Sequence, residues 1–237
     1  MKKLFQKSEI WFAVAWIIVY VLAFSNADAI SESMGIPKLL TVIVGLALSV
    51  IAFLFLQKNS LFADFGLCKP EKAPRILLLY LPLIAISSVN FWNGVTVNIT
   101  AWETILYILS MCCVGFLEEV IFRGFLFGAM RKNGLTAAVI VSSLTFGMGH
   151  IVNLLTGAPV LDTLLQLVYA SAIGFCYTGI YLASGSIVPC ILSHIFVNST
   201  SVFAIEPDER GLLITAIIQT LLGAGYGLWL FRAYKKR

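Results

Sequence analysis

Residues 115–124 (GFLEEVIFRG) place two adjacent carboxylates and an arginine inside a run of the chain that is apolar on both sides. Ionisable groups are costly in hydrocarbon, so within a membrane span they face a partner or a water-filled cavity and commonly serve a function. The chain has two histidines, His150 and His194, and each also lies in an apolar run. We therefore expect these three segments to converge on one polar site inside a membrane-embedded bundle.

The composition excludes a soluble globular protein. Hydrophobic residues make up 59% of the chain and charged residues 12%, and the mean hydropathy is +0.94. Soluble domains carry roughly 25% charged residues. Because each spanning helix needs about 20 residues, the chain has room for about eight spans and no separate soluble domain. The prediction is an all-α polytopic membrane protein, with residues 1–237 forming a single integral-membrane domain in the lipid bilayer.

The apolar runs predict eight spans, separated by short connections. They lie at about residues 10–25, 36–56, 75–92, 103–130, 135–153, 161–183, 186–204 and 211–231. The longest connection, residues 57–74, reads as a cytoplasmic linker with a short interfacial turn at residues 61–67. A signal peptide cleaved at residues 26–29 (NADA) is the alternative for the first run, and we interpret the run as a retained span because the topology closes with it.

The distribution of lysine and arginine sets the expected orientation. Thirteen of the 16 cations fall on one side if eight spans alternate, and the other side holds Lys38 and Arg210 beside seven acidic residues. Both termini are therefore predicted to be cytoplasmic. The basic residues flank spans, so no nucleic-acid partner is expected. The glycines of residues 124–128 and 223–227 are expected to allow close helix approach.

The spacing of the polar residues predicts how they are shared among the helices. Glu119 and Arg123 are four apart and can pair on one helix face, while Glu118 lies about 100° round the helix and points elsewhere. Two further pairs share a helix face, at spacings of three and four: His150 with Asn153, and His194 with Asn198. Each motif alone is as compatible with a buried structural network as with a site.

The residue types are suited to hydrolysing an amide. A glutamate in an apolar cavity can act as a general base on water, and a histidine can orient that water. The second histidine and the asparagine offer donors to a developing oxyanion. The competing use is a metal site, because Glu118, His150 and His194 form a set that zinc accepts. The sequence does not decide between a site that requires no cofactor and a site that binds one divalent metal such as zinc.

Three motifs together, Glu118-Glu119-x-x-x-Arg123, Phe146-x-x-x-His150 and His194-x-x-x-Asn198, resemble the signature of the CPBP family. This is the CAAX-protease and bacteriocin-processing, or Abi, family of intramembrane proteases. The resemblance covers about residues 115–199 and implies an eight-helix bundle with a cavity open to the cytoplasm and the lipid. It also implies that Glu118 and His150 activate water, that Glu119 and Arg123 orient the site, and that His194 and Asn198 stabilise the oxyanion.

The expected function is that of a CAAX-type intramembrane endopeptidase in a bacterial plasma membrane, acting on a membrane-associated peptide or protein. Two alternatives from other classes stay open. One is a non-catalytic bacteriocin self-immunity or interaction protein, in which the motifs maintain the bundle. The other is a small-solute or proton-coupled transporter, which also uses intramembrane acids and histidines. The sequence leaves the substrate, the cleavage site and the oligomeric state open.

Overall fold

The computed structural model describes residues 1–70 and 76–236, and the secondary-structure elements in that part of the chain are helices. Residues 71–75, which hold the end of the predicted linker and the start of the third predicted span, lie outside the described residues, as does residue 237. The helices are α1 Lys2–Lys7, α2 Glu9–Ser33, α3 Leu39–Lys58, α4 Ile76–Ser87, α5 Ala101–Glu119, α6 Phe127–Met130, α7 Leu135–Met148, α8 Val160–Ser184, α9 Val188–Thr200 and α10 Glu209–Lys235.

Two irregular helical segments carry parts of the motifs. A π-helical segment, Val120–Leu126, joins α5 to α6 without a break, and a 3₁₀ helix, Gly149–Thr156, continues α7. Shorter 3₁₀ turns, Val89–Phe91 and Ser201–Phe203, follow α4 and α9. In the described residues the sole β pairing is a bridge between Val95 and Ala204.

Each of the eight predicted spans corresponds to a helical segment, but they differ in length. Six are long and apolar enough to cross a membrane. The third and seventh are shorter apolar helices, and the 13 residues of α9 extend only about 20 Å, less than the ~30 Å of a bilayer core. In the described residues both end in 3₁₀ turns, Val89–Phe91 and Ser201–Phe203, and the expectation that each crosses the bilayer stays a prediction.

The first predicted span is longer than expected and passes through the candidate cleavage site. Ser8 accepts a hydrogen bond from the Trp11 amide and caps α2, which then runs unbroken to Ser33. Residues 26–29 are therefore helical, and Ala27 is buried. The side chain of Tyr20 in this helix reaches the polar site described below, so the span is part of the bundle.

The two ends of the bundle differ in charge. The basic end comprises residues 1–8, 57–70, 131–134, 185–187 and 235–236, and it is tied together by the Lys132–Glu9 ion pair and by the hydrogen bond from the Ile187 amide to the Gly66 carbonyl. The acidic end comprises residues 26–38, 88–104, 156–162 and 203–210, where Lys38 pairs with Asp28. This segregation follows the pattern that the sequence predicts for two sides of a membrane.

The glycine pairs differ in what they contact. Gly223 and Gly227 lie against the α8 backbone, where an added Cβ would come within 2.7 Å of Ala172 and 3.0 Å of the Cys176 nitrogen. They allow close helix approach as expected. Gly124 and Gly128 instead face the ring of Phe65, which is buried among Phe5, Phe12 and Phe125. The expectation that this pair seats a helix is wrong, because the Phe65 side chain fills the groove, and the interfacial turn at residues 61–67 stays a prediction.

Replacing Gly147 by alanine is expected to lower stability, whereas replacing Gly149 is not. A Cβ on Gly147 would lie 1.9 Å from Ser171 Oγ and 2.7 Å from the Leu167 carbonyl oxygen, while a Cβ on Gly149 would meet nothing within 4 Å. Since the backbone of α8 cannot retreat cheaply, we expect Gly147→Ala to cost about 3 kcal/mol. Thermal unfolding of the purified protein in detergent checks this, and equal melting temperatures for the two variants would contradict it.

Candidate active site

Glu119, Arg123 and His194 form a buried charge cluster where α5 meets α9. The Arg123 Nη1 donates to Glu119 Oε1 at 3.0 Å, and both side chains have no exposed surface. The same oxygen lies 2.9 Å from His194 Nδ1. Because a carboxylate oxygen accepts, His194 donates through Nδ1. The guanidinium also lies 4.0 Å above the ring of Phe146, a favourable cation–π geometry.

Glu118 occupies a different environment from its neighbour. It lies at the wall of a cavity and keeps 14% of its side chain exposed, whereas Glu119 keeps none. Its Oε1 accepts a hydrogen bond of 2.6 Å from Tyr20, and its Oε2 lies 3.7 Å from His194 Nε2. The Glu119 carboxylate is therefore enclosed by protein and bonded through Oε1, whereas the Glu118 carboxylate is open to whatever occupies the cavity.

His150 is oriented by the backbone of its own helix. Its Nδ1 lies 3.2 Å from the Phe146 carbonyl oxygen and 3.3 Å from that of Gly147. Carbonyl oxygens only accept, so Nδ1 carries the proton and the neutral ring has its lone pair on Nε2. The rings of His150 and His194 both contact Phe146, at 5.5 and 5.6 Å between centroids. Phe146 thus spaces the two histidines.

Four of the six predicted site residues line one cavity, and the other two lie behind its wall. The cavity has a volume of about 680 Å³ and is lined by Glu118, His150, His194 and Asn198, with Glu119 and Arg123 directly behind the wall. Asn153 also faces it, and its side chain donates to Gln166 at 2.8 Å. The spacing of the three motifs therefore leads to one location in the fold.

Local helix geometry at this site departs from a regular α-helix in two places. The π-helical segment begins directly after Glu119, and His150 lies in the 3₁₀ helix that follows α7. π-Bulges inside α-helices are frequent at functional sites. The sequence prediction assumed continuous α-helices, because helical spacing alone does not reveal where the hydrogen-bond register changes.

The geometry does not favour the zinc alternative. Among the described residues, no group of three or more His, Cys, Asp and Glu side chains is placed to hold a metal ion. His194 donates through Nδ1 to Glu119, and because a metal-bound histidine makes the same bond, this contact does not decide between the two uses. Glu118, His150 and His194 share a cavity wall but do not form a coordination set, so we derive no step through a metal.

Sequence reasoning missed three contributors to the site. Tyr20 comes from the first span, which was not considered diagnostic, yet its hydroxyl reaches Glu118. Tyr177 lies 5.5 Å from the Arg123 guanidinium and bonds to Ser193. Gln166 accepts from Asn153. The available signal was a polar group in the middle of an apolar helix, but hydroxyls and amides are common enough in spans that this signal does not single them out.

Comparison with known proteins agrees with the motifs. Residues 100–200 match the family described as type II CAAX prenyl endopeptidase, Rce1-like. This stretch holds all three motifs and every residue of the charge cluster. No curated protein and no solved structure matches the chain.

Proposed function

We propose, from the membership of residues 100–200 in the Rce1-like family of CAAX endopeptidases, that this integral membrane protein hydrolyses a peptide bond through a water held by Glu118 and His150. The family supports protease activity and a peptide or protein substrate in a membrane. The observation that carries the finer proposal is the contrast between the two carboxylates. Glu119 is sealed against Arg123 and His194, while Glu118 faces the cavity.

Glu118 and His150 have complementary roles at the water. His150 keeps its proton on Nδ1, so its Nε2 can accept a hydrogen bond from water. Glu118 accepts the other proton of this water as the water oxygen attacks the substrate carbonyl. It then passes that proton to the departing amine. A proton transfer of this kind by a positioned side chain contributes about 10²–10⁴-fold to the rate.

His194 and Asn198 are proposed to stabilise the oxyanion. Since His194 donates through Nδ1 to Glu119, its Nε2 becomes a donor only when the ring carries a second proton. The carboxylates of Glu118 and Glu119 lie 3.7 and 2.9 Å from Nε2 and Nδ1. The side-chain amide of Asn198, one turn further along α9, supplies a neutral donor. The guanidinium of Arg123 offsets the negative charge of the Glu119 carboxylate.

The proposal is tested by a cleavage assay on purified protein in lipid nanodiscs. Wild type and Glu118→Gln are incubated with a farnesylated CAAX peptide and with a library of unprenylated membrane-associated peptides, and new termini are mapped by mass spectrometry. We expect wild type to produce new termini and Glu118→Gln not to do so. Equal cleavage by both proteins, or cleavage of no peptide by wild type, would overturn the proposal.

Replacing Tyr20 by phenylalanine is expected to lower turnover by about tenfold without unfolding the protein. The change removes the 2.6 Å hydrogen bond that fixes Glu118, and a misplaced catalytic group costs rate even when the fold is intact. Because phenylalanine preserves the ring that packs on Phe24, the melting temperature should change little. Steady-state kinetics check this, with Tyr234→Phe, on the half-exposed end of α10, as the control.

A further inference from the structure

The cavity runs from the charge cluster to the acidic end of the bundle. The residues that line it near Glu118 are buried or half-buried, and those that line it farthest from Glu118 are exposed at the acidic end: Asn93, Thr156, Ile205 and Glu206. The wall includes residues of α2, α3, α5, α8, α9 and α10. Among the apolar side chains of the wall lie polar ones that can bond to a peptide backbone: Asn90, Asn153, Gln166, Asn198 and Ser201.

Toward the basic end the site is closed by packed side chains. Directly past Glu119 lie Ile121, Phe125 and Phe127, none of which is more than 1% exposed. Ile187 is fully buried on the opposite wall, and the ring of Phe65 fills the groove beside Gly128. In the described part of the chain, no cavity-lining residue belongs to the segments that form the basic end.

The charge of the two ends indicates which side of the membrane each faces. In the described residues, the basic end and the last turn of α10 hold ten lysines and arginines, and the acidic end holds Lys38 and Arg210 beside seven carboxylates. Basic residues near span ends stay in the cytoplasm. The closed end therefore faces the cytoplasm and the cavity mouth faces away from it.

We infer that the site is reached from the non-cytoplasmic face, so that its substrates are peptide segments lying at the outer surface of the membrane. That peptides are the substrates rests on the proposed function, but the direction in which the cavity opens does not depend on it. This direction differs from the cytoplasmic opening that the family resemblance implies. The physical reason is that phenylalanine-rich packing fills the described part of the bundle between Glu119 and the basic end.

Cysteine accessibility in intact cells tests the inference. Asn93→Cys lies at the cavity mouth and Asn133→Cys is an exposed asparagine at the basic end. With a membrane-impermeant maleimide, we expect Asn93→Cys to be labelled in intact cells and Asn133→Cys only after permeabilisation. Wild type, with its five cysteines, gives the background. Labelling of Asn133→Cys but not Asn93→Cys in intact cells would overturn the inference.

A third variant tests the path inside the cavity. Ser25→Cys is half-buried on α2, at the cavity wall, and we expect a small impermeant methanethiosulfonate added outside to modify it and to remove most cleavage activity. Modification only from the cytoplasmic side would overturn the inference. The labelling readout does not need activity. If labelling follows the expected pattern and no peptide is ever cleaved, the proposed function fails and the access route stands.

Discussion

Glu118→Gln is expected to lower the turnover number for peptide cleavage by about 10³-fold, because glutamine cannot accept a proton from water. The substitution is nearly isosteric, and the amide oxygen can still accept from Tyr20, so the fold and the melting temperature should be unchanged. The change in KM should be small, since the proposed role begins when water attacks. Activity assays with and without saturating substrate separate the two constants.

The matched control is Glu103→Gln, in the same helix. Glu103 lies in the first turn of α5, where its carboxylate accepts from the Thr100 amide and its own amide donates to the Thr100 hydroxyl. Glutamine also serves in such a capping box. Normal cleavage by Glu103→Gln together with a loss in Glu118→Gln assigns the effect to the site. Residual activity of Glu118→Gln within threefold of wild type would contradict the proposed chemistry.

The same variant separates the protease from the immunity alternative. A non-catalytic interaction protein needs its bundle but not its general base. Cells that carry Glu118→Gln and remain protected from a bacteriocin as well as wild-type cells would therefore support the immunity role. Loss of protection together with loss of cleavage links the two activities.

Arg123→Met is expected to produce the largest loss of stability, about 4 kcal/mol, because it leaves the Glu119 carboxylate buried without its cation. Both side chains have no exposed surface, so water cannot replace the guanidinium. The variant also lacks the contact between the guanidinium and the Phe146 ring. Chemical or thermal unfolding in detergent measures the change.

A double variant distinguishes an unpaired charge from lost packing. Adding Glu119→Gln to Arg123→Met removes the orphaned charge, and we expect the melting temperature to return to near the wild-type value, because neutral replacements of a buried pair are often tolerated. Cleavage should stay low, since His194 loses the carboxylate beside Nδ1. A double variant as unstable as Arg123→Met would show that packing dominates.

An exposed ion pair provides the matched control for this experiment. Lys132 pairs with Glu9 at 2.6 Å, but the lysine side chain is 62% exposed. Surface pairs contribute under about 1 kcal/mol, so Lys132→Met should change stability little. A comparable loss in Lys132→Met and Arg123→Met would mean that burial is not the cause.

The sequence by itself determined the class of fold and singled out the polar residues that the structure brings to one cavity. Low charge and long apolar runs require helices in a bilayer, since backbone groups must be satisfied within each span. Charged groups stand out in such runs, so Glu118, Glu119, Arg123 and the two histidines could be identified by counting. Helical spacing also predicted that Glu119 and Arg123 share a face, where they lie 3.0 Å apart.

Tertiary structure decided which partners those residues meet. The bond from Tyr20 to Glu118 joins positions 98 residues apart, and that from His194 to Glu119 joins positions 75 apart. Periodicity along one helix carries no information on such contacts. The end toward which the cavity opens was likewise decided by packing, because Phe65 and its neighbours fill one half of the bundle while polar side chains line the other.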